Sequence, residues 1–156
     1  MKHIFAPTII AIGFCFAATG ASAGYFYSQQ LAKVEAIKVQ VSAIVKDGCL
    51  DTPDVLKTEA ELVLRRSGIK VVEVTYSGHY LNIHVTGYAI TGGCAVSLDL
   101  QVYDVEGLTD GTVGLVEAAS QGALHSGPKG SFPQQLREQV NAKVSKLANE
   151  ILKARQ

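Results

Sequence analysis

The chain has 156 residues, with 14 Lys plus Arg against 14 Asp plus Glu, and a formal net charge of zero at pH 7. That balance provides no basic field to gather nucleic acid. The length suits one domain with a real core, and no internal repeat or low-complexity segment divides it.

Lys2 and His3 give a short basic start, and an apolar run follows from Ile4 to Ala18. Small residues then lead to Ala21-Ser22-Ala23, a pattern that a signal peptidase cuts. Residues 1–23 read as a secretory signal peptide, which sends the chain to the periplasm or outside the cell. The competing reading is an uncleaved anchor in the inner membrane. Residues 4–23 are long enough to span a bilayer, and Tyr25, Phe26 and Tyr27 follow as interfacial aromatics do. Against it, Pro7, Thr8, Gly13, Thr19, Gly20 and Ser22 dilute the run. Cys15 follows Phe14, whereas a lipoprotein signal needs a small residue there, so it reads as an apolar residue of the leader.

Residues 24–33 are a lead-in segment, and 34–156 form a single α+β domain. From Val34 to Val45, Ile37, Val39, Val41, Ala43 and Val45 alternate with residues on the other face, the period of a strand buried on one side. Asp47-Gly48 ends it. Thr52 is placed to cap a helix, with Pro53 at its first position and Asp54 at the positive end of the dipole. Leu56, Ala60 and Val63 or Leu64 make its apolar stripe, Arg65 and Arg66 its last turn, and Gly68 its left-handed stop.

Lys70–Tyr76 reads as a short strand, and Ser77-Gly78-His79 as a tight connection. A cleanly alternating strand follows over Tyr80–Ile90. Gly92-Gly93 turns into a strand on which Cys94, Val96, Leu98, Leu100 and Val102 share the apolar face. Asp104–Gly111 reads as a polar loop and Thr112–Leu124 as a final strand. After the break at 127–130, Ser131 and Gln134 have capping-box spacing. Leu136, Val140, Val144, Leu147 and Ile151 then mark a closing amphipathic helix, with Arg137, Lys143, Lys146 and Lys153 assigned to its opposite side. The expected order is β-α-β-β-β-β-α, a mostly antiparallel sheet of about five strands with two helices on one face.

Cys49 stands where the first strand stops and Cys94 where a later one starts, each at a sheet end. In an oxidising compartment such a pair is expected to form a disulfide. No C-x-x-C pair and no neighbouring histidine suggests redox or nucleophilic chemistry.

The run Glu61-Leu62-Val63-Leu64-Arg65-Arg66-Ser67-Gly68-Ile69 is similar to an E-L-x-L-R-x-x-G-I helix found in many small secreted bacterial proteins of uncharacterised role, where strands and a terminal helix follow it. The element order also resembles small envelope domains such as that of the curli secretion lipoprotein. The resemblance implies a bacterial envelope setting and supplies no activity and no functional residue.

Other clusters point weakly to chemistry. His79 and His84 fall on opposite faces if one strand carries both, so they and His125 make no metal set. Asp104, Glu106 and Asp110 crowd one region with glycines, as calcium loops do, but miss the EF-hand spacing. Ser120 and Ser126 near His125 lack a nucleophile elbow. No phosphate-cradling glycine motif occurs. The expectation is therefore a non-enzymatic exported domain that needs no cofactor or metal. It would act by contact with an envelope protein, bind no nucleic acid, and meet the membrane only if its leader is retained. The candidate partner surface is Tyr88 and Tyr103 on outward strand parity, with Arg137, Lys143, Lys146 and Lys153. The alternative is a small-ligand or metal-binding periplasmic protein, and a hydrolase ranks last.

Overall fold

The computed structural model describes residues 22–73, 78–107 and 111–156. Residues 1–21 of the expected leader, Asp110 and most of the Val72–Ser77 segment lie outside the described residues. The elements are β1 (Ser22–Phe26), α1 (Ser28–Leu31), β2 (Ala36–Val45), α2 (Asp54–Arg66), β3 (Lys70–Val71), β4 (Gly78–Ile90), β5 (Gly93–Gly107), β6 (Val113–Gly127) and α3 (Phe132–Ala154). They form one six-stranded sheet in the order β1-β6-β5-β4-β2-β3.

The α+β class, the single sheet and the terminal helix are as expected. The sheet is mixed, however, with six strands rather than about five. The β4–β5, β5–β6 and β6–β1 pairs are antiparallel. β2 runs parallel to β4 over Ile37–Val45 against His79–Gly87, and parallel to β3 at its start. The cause is α2. A parallel neighbour needs a crossover of a dozen or more residues, and the helix between β2 and β4 is such a crossover.

One face of the sheet is buried. Ile37 and Val39 of β2, Leu81, Ile83 and Val85 of β4, and Leu98, Leu100 and Val102 of β5 meet Leu56, Ala60 and Leu64 of α2 and Leu136, Val140, Val144 and Leu147 of α3 in one core. α2 starts one residue later than its signals suggest. The Thr52 carbonyl accepts from Val55, and Pro53 rather than Thr52 takes the N-cap position. The helix stops at Gly68 (φ +78°), where the Ile69 amide folds back to the Leu64 carbonyl. At α3 the capping box does not form. Ser131 Oγ takes a hydrogen bond from Gln135 rather than capping the helix.

The lead-in is structured. Its β1 pairs with β6 over Ala119–Ala123, and the α1 turn buries Leu31. Gly24 permits this pairing, because a Cβ there would sit 2.7 Å from the Ser120 carbonyl oxygen. The expected 104–111 loop is also shorter than read. β5 continues to Gly107, and the unbroken alternation that buries Leu98, Leu100 and Val102 puts Asp104 on the core side, while the register shift beside Val102 and Tyr103 leaves Ala118 as the extra residue of β6. Likewise His79 is not in a turn. It lies in β4 with its side chain buried.

Cys49 and Cys94 are joined, with Cα atoms 5.8 Å apart and both residues fully buried. The bond ties the end of β2 to the start of β5, two strands separated in the sheet by β4.

Candidate interaction surface

All three helices contribute to the covered side of the sheet, which leaves the opposite face bare. Its side chains are read by register. Across β2, β4, β5 and β6, Ile44, Thr86, Ser97 and Leu124 make one row, and Ser42, His84, Asp99 and Gly122 the next. Farther along come Gln40, Asn82, Gln101 and Ser120, then Lys38, Tyr80, Tyr103 and Glu117.

The middle of this face is polar and internally bonded. Ser97 Oγ donates to Asp99 Oδ2 at 2.8 Å, and Thr86 Oγ1 lies 3.0 Å from His84 Nε2. Its two ends are apolar. At the disulfide end, Tyr88 is 59% exposed, Ile44 57% and Leu124 72%. With Thr86, Ala95, Ser97 and Ser126, Tyr88 and Leu124 line a shallow depression of about 510 Å³. At the far end Val113 and Leu115 stand exposed on β6. Tyr25 and Tyr27 pack with ring centroids 5.0 Å apart. The Tyr25 hydroxyl donates to Glu117, which together with partial burial pushes its pKa up to about 12. Burial, then the same carboxylate, raises that of Tyr103.

The structure splits the expected partner surface. Tyr88 and Tyr103 lie on the bare face, while Arg137, Lys146 and Lys153 lie on α3, which packs on the other side of the sheet. Arg137 bonds to Gln134 beside an open polar cleft lined also by Glu59, Glu138 and Asn141. Lys146 sits 5.4 Å over the Phe26 ring. Lys143 is corrected outright. It is buried next to Val144 rather than set on the solvent side, and its main-chain carbonyl accepts from Gln121 Nε2 at 3.1 Å. The helical stripe is wide enough to take in its border position. Burial lowers the ammonium pKa, Lys146 lowers it further, and Asp99 partly offsets both.

A second polar group is inside. His79 Nε2 faces Asp104 Oδ2 at 3.7 Å with no hydrogen bond of its own. Burial lowers the imidazole pKa, against the opposing pull of Asp104 and of the bond to the Gln30 backbone. Beside it, Lys33 holds Glu106 at 2.8 Å, raising its own pKa and lowering that of Glu106. Asp104 and Glu106 are thus strand residues with partners on β4 and near α1, not members of an open loop. His84 lies on the opposite face from His79. His125 faces the helices and Ser126 the bare side, so strand parity separates those two as well. Among the described residues no three His, Cys, Asp or Glu side chains are grouped to hold a metal ion.

Sequence reading missed the exposed Ile44, Leu115 and Leu124, and the Tyr25–Glu117 pair. A signal for Ile44 and Leu124 existed, since each places an aliphatic side chain on the polar parity of its strand.

No family model and no curated protein matches the chain. Among solved structures, the PelC dodecamer from Paraburkholderia phytofirmans is similar at 17% identity, covering 85% of this chain and 96% of that one, with a TM-score of 0.50. A second PelC structure from that organism aligns at 20% identity over 85% and 96%, with a TM-score of 0.49. A minor lipoprotein from Acinetobacter baumannii aligns at 11% identity over 76% and 90%, with a TM-score of 0.40. The likeness to PelC at this identity is one of fold. Among the described residues no helix is long and apolar enough to cross a membrane.

Proposed function

We propose that this chain is an exported, non-enzymatic contact module of the bacterial envelope, which works by holding other polypeptides. The observation that carries the reading is the bare sheet face, where Ile44, Tyr88 and Leu124 stand exposed while every helix packs on the other side. Exposed apolar surface rimmed by polar side chains marks protein contact sites. The buried 49–94 disulfide suits an oxidising compartment, and the leader supplies a route to it. PelC is a dodecamer, so contact between copies belongs to this reading as well as contact with another envelope protein.

The test is photo-crosslinking in the producing cell. A benzophenone side chain at Tyr88 or Leu124 is expected to give a discrete adduct, and one at exposed Arg66 on α2 is not. Loss of adducts at both sheet positions sinks the proposal. A small-ligand reading is favoured instead if a metal or metabolite raises the melting temperature of the purified protein.

A further inference from the structure

Both edges of the sheet are only partly paired. Among the described residues, β1 covers β6 only over Ala119–Ala123, and Tyr27 bonds to the Ala118 carbonyl, which leaves Val113–Glu117 without a strand on its outer side. On the opposite edge, β3 covers β2 only at Ala36 and Ile37, which leaves Lys38–Val45 open. An open edge is a row of unpaired N–H and C=O groups and a template for another strand. Natural edges are blunted by lysines, prolines or bulges. Neither opening contains proline, and their only charges are terminal, Glu117 at the end of one and Lys38 at the start of the other.

The two openings share a strand direction. β2 is parallel to β4, and β6 is antiparallel to β5, which is antiparallel to β4; β2 and β6 therefore run in the same direction. Glu117 is level with Lys38 in the sheet, so a rotation combined with a shift along the strands brings the β6 opening of one copy beside the β2 opening of the next as a parallel pair. That shift also brings opposite charges level. Lys46 is exposed at the C-terminal end of the β2 opening. Glu117 stands at the C-terminal end of the β6 opening, with Oε1 buried and lacking a hydrogen-bond partner. β3 and β1 stop the pairing at opposite ends, which limits slippage of the register.

We infer that the occupant of these edges is a second copy of this chain, with Val113–Glu117 of one copy adding to Lys38–Val45 of the next, head to tail. The contact is heterologous, so it propagates from copy to copy beyond a dimer. The inference rests on the contact-module reading and names a partner for it.

The test uses the protein as it accumulates in cells, and two double variants at exposed positions. Val113→Lys with Leu115→Lys spoils the β6 edge, and Ser42→Lys with Ile44→Lys spoils the β2 edge. Circular dichroism is expected to show both folded. By sedimentation, wild type should form an assembly larger than a dimer and each variant a monomer. An equal mixture of the two should give a dimer and nothing larger, because each variant supplies one sound edge. Monomeric wild type over a hundredfold concentration range overturns the inference. So does a variant that assembles like wild type, or a mixture that stays monomeric. A monomeric wild type that still crosslinks through Tyr88 removes edge pairing alone. An assembling wild type with no Tyr88 or Leu124 adduct removes the bare-face reading alone.

Discussion

His79 Nε2 and Asp104 Oδ2 lie 3.7 Å apart at one end of the sheet, with each side chain more than nine-tenths buried and no hydrogen bond between them. The imidazole gives its bonding to the Gln30 backbone and faces a carboxylate it does not reach. The attraction across that gap offsets only part of the burial cost of a charged ring, so the pKa moves down from its ordinary value of 6.5.

The sign of the pH dependence follows from that shift. With a folded pKa below the unfolded one, the unfolded chain binds more protons as pH falls below about 6.5. Stability contributed by neutral His79 is present above that value and is lost as pH drops toward the folded pKa. His125 adds in the same direction, through burial and then Lys143. Melting temperature measured in steps from neutral to mildly acid pH should fall, and His79→Gln should flatten the curve. A wild-type profile that rises on acidification contradicts this account.

The disulfide closes a span of 45 residues between buried sulfurs. Constraint of the unfolded chain by a loop of that size is worth about 4 kcal/mol. Cys49→Ala with Cys94→Ala should lose roughly that much in urea unfolding, and the wild type should shift similarly under reductant. A loss below about 1 kcal/mol would mean that the native packing carries the join unaided.

Leu98 and Leu124 are aliphatic residues on neighbouring strands with opposite fates. Leu98 is fully buried, and Leu124 is among the most exposed residues of the sheet. Leu98→Ala should cost about 3 kcal/mol through lost burial and a cavity, whereas Leu124→Ala should stay within about 0.5 kcal/mol. Equal costs by chemical denaturation would place Leu124 under some cover.

Gly87 lies where β4 approaches β5, and a Cβ there would collide with the Ala95 carbonyl oxygen and with Val96. The obstacle includes backbone, so it does not swing aside. Gly87→Ala should destabilise by about 1–3 kcal/mol, while Gly107→Ala, which meets nothing, should be near neutral. The reverse ranking in thermal melts would refute the strand register deduced here.

Alternation told which side chains of β2, β4 and β5 enter the core, and the helical stripes of α2 and α3 were equally plain, because burial on one face imposes a period on the residues. Asp104 was misjudged because acidic residues and glycines resemble a loop, although it keeps the parity of Leu98, Leu100 and Val102 and the strand simply runs on. β1 went unseen because five residues with a central glycine have no period of their own, and only β6 makes them a strand. The sequence by itself determined the core faces of β2, β4, β5 and α2 and the cysteines free to pair, since these depend on local spacing and composition. Only the tertiary structure decided that α2 makes β2 parallel to β4, that tyrosines and basic helix residues end on opposite sides, and that two sheet edges stay open. Those outcomes depend on which strands become neighbours, and neighbours are chosen by packing across the whole chain.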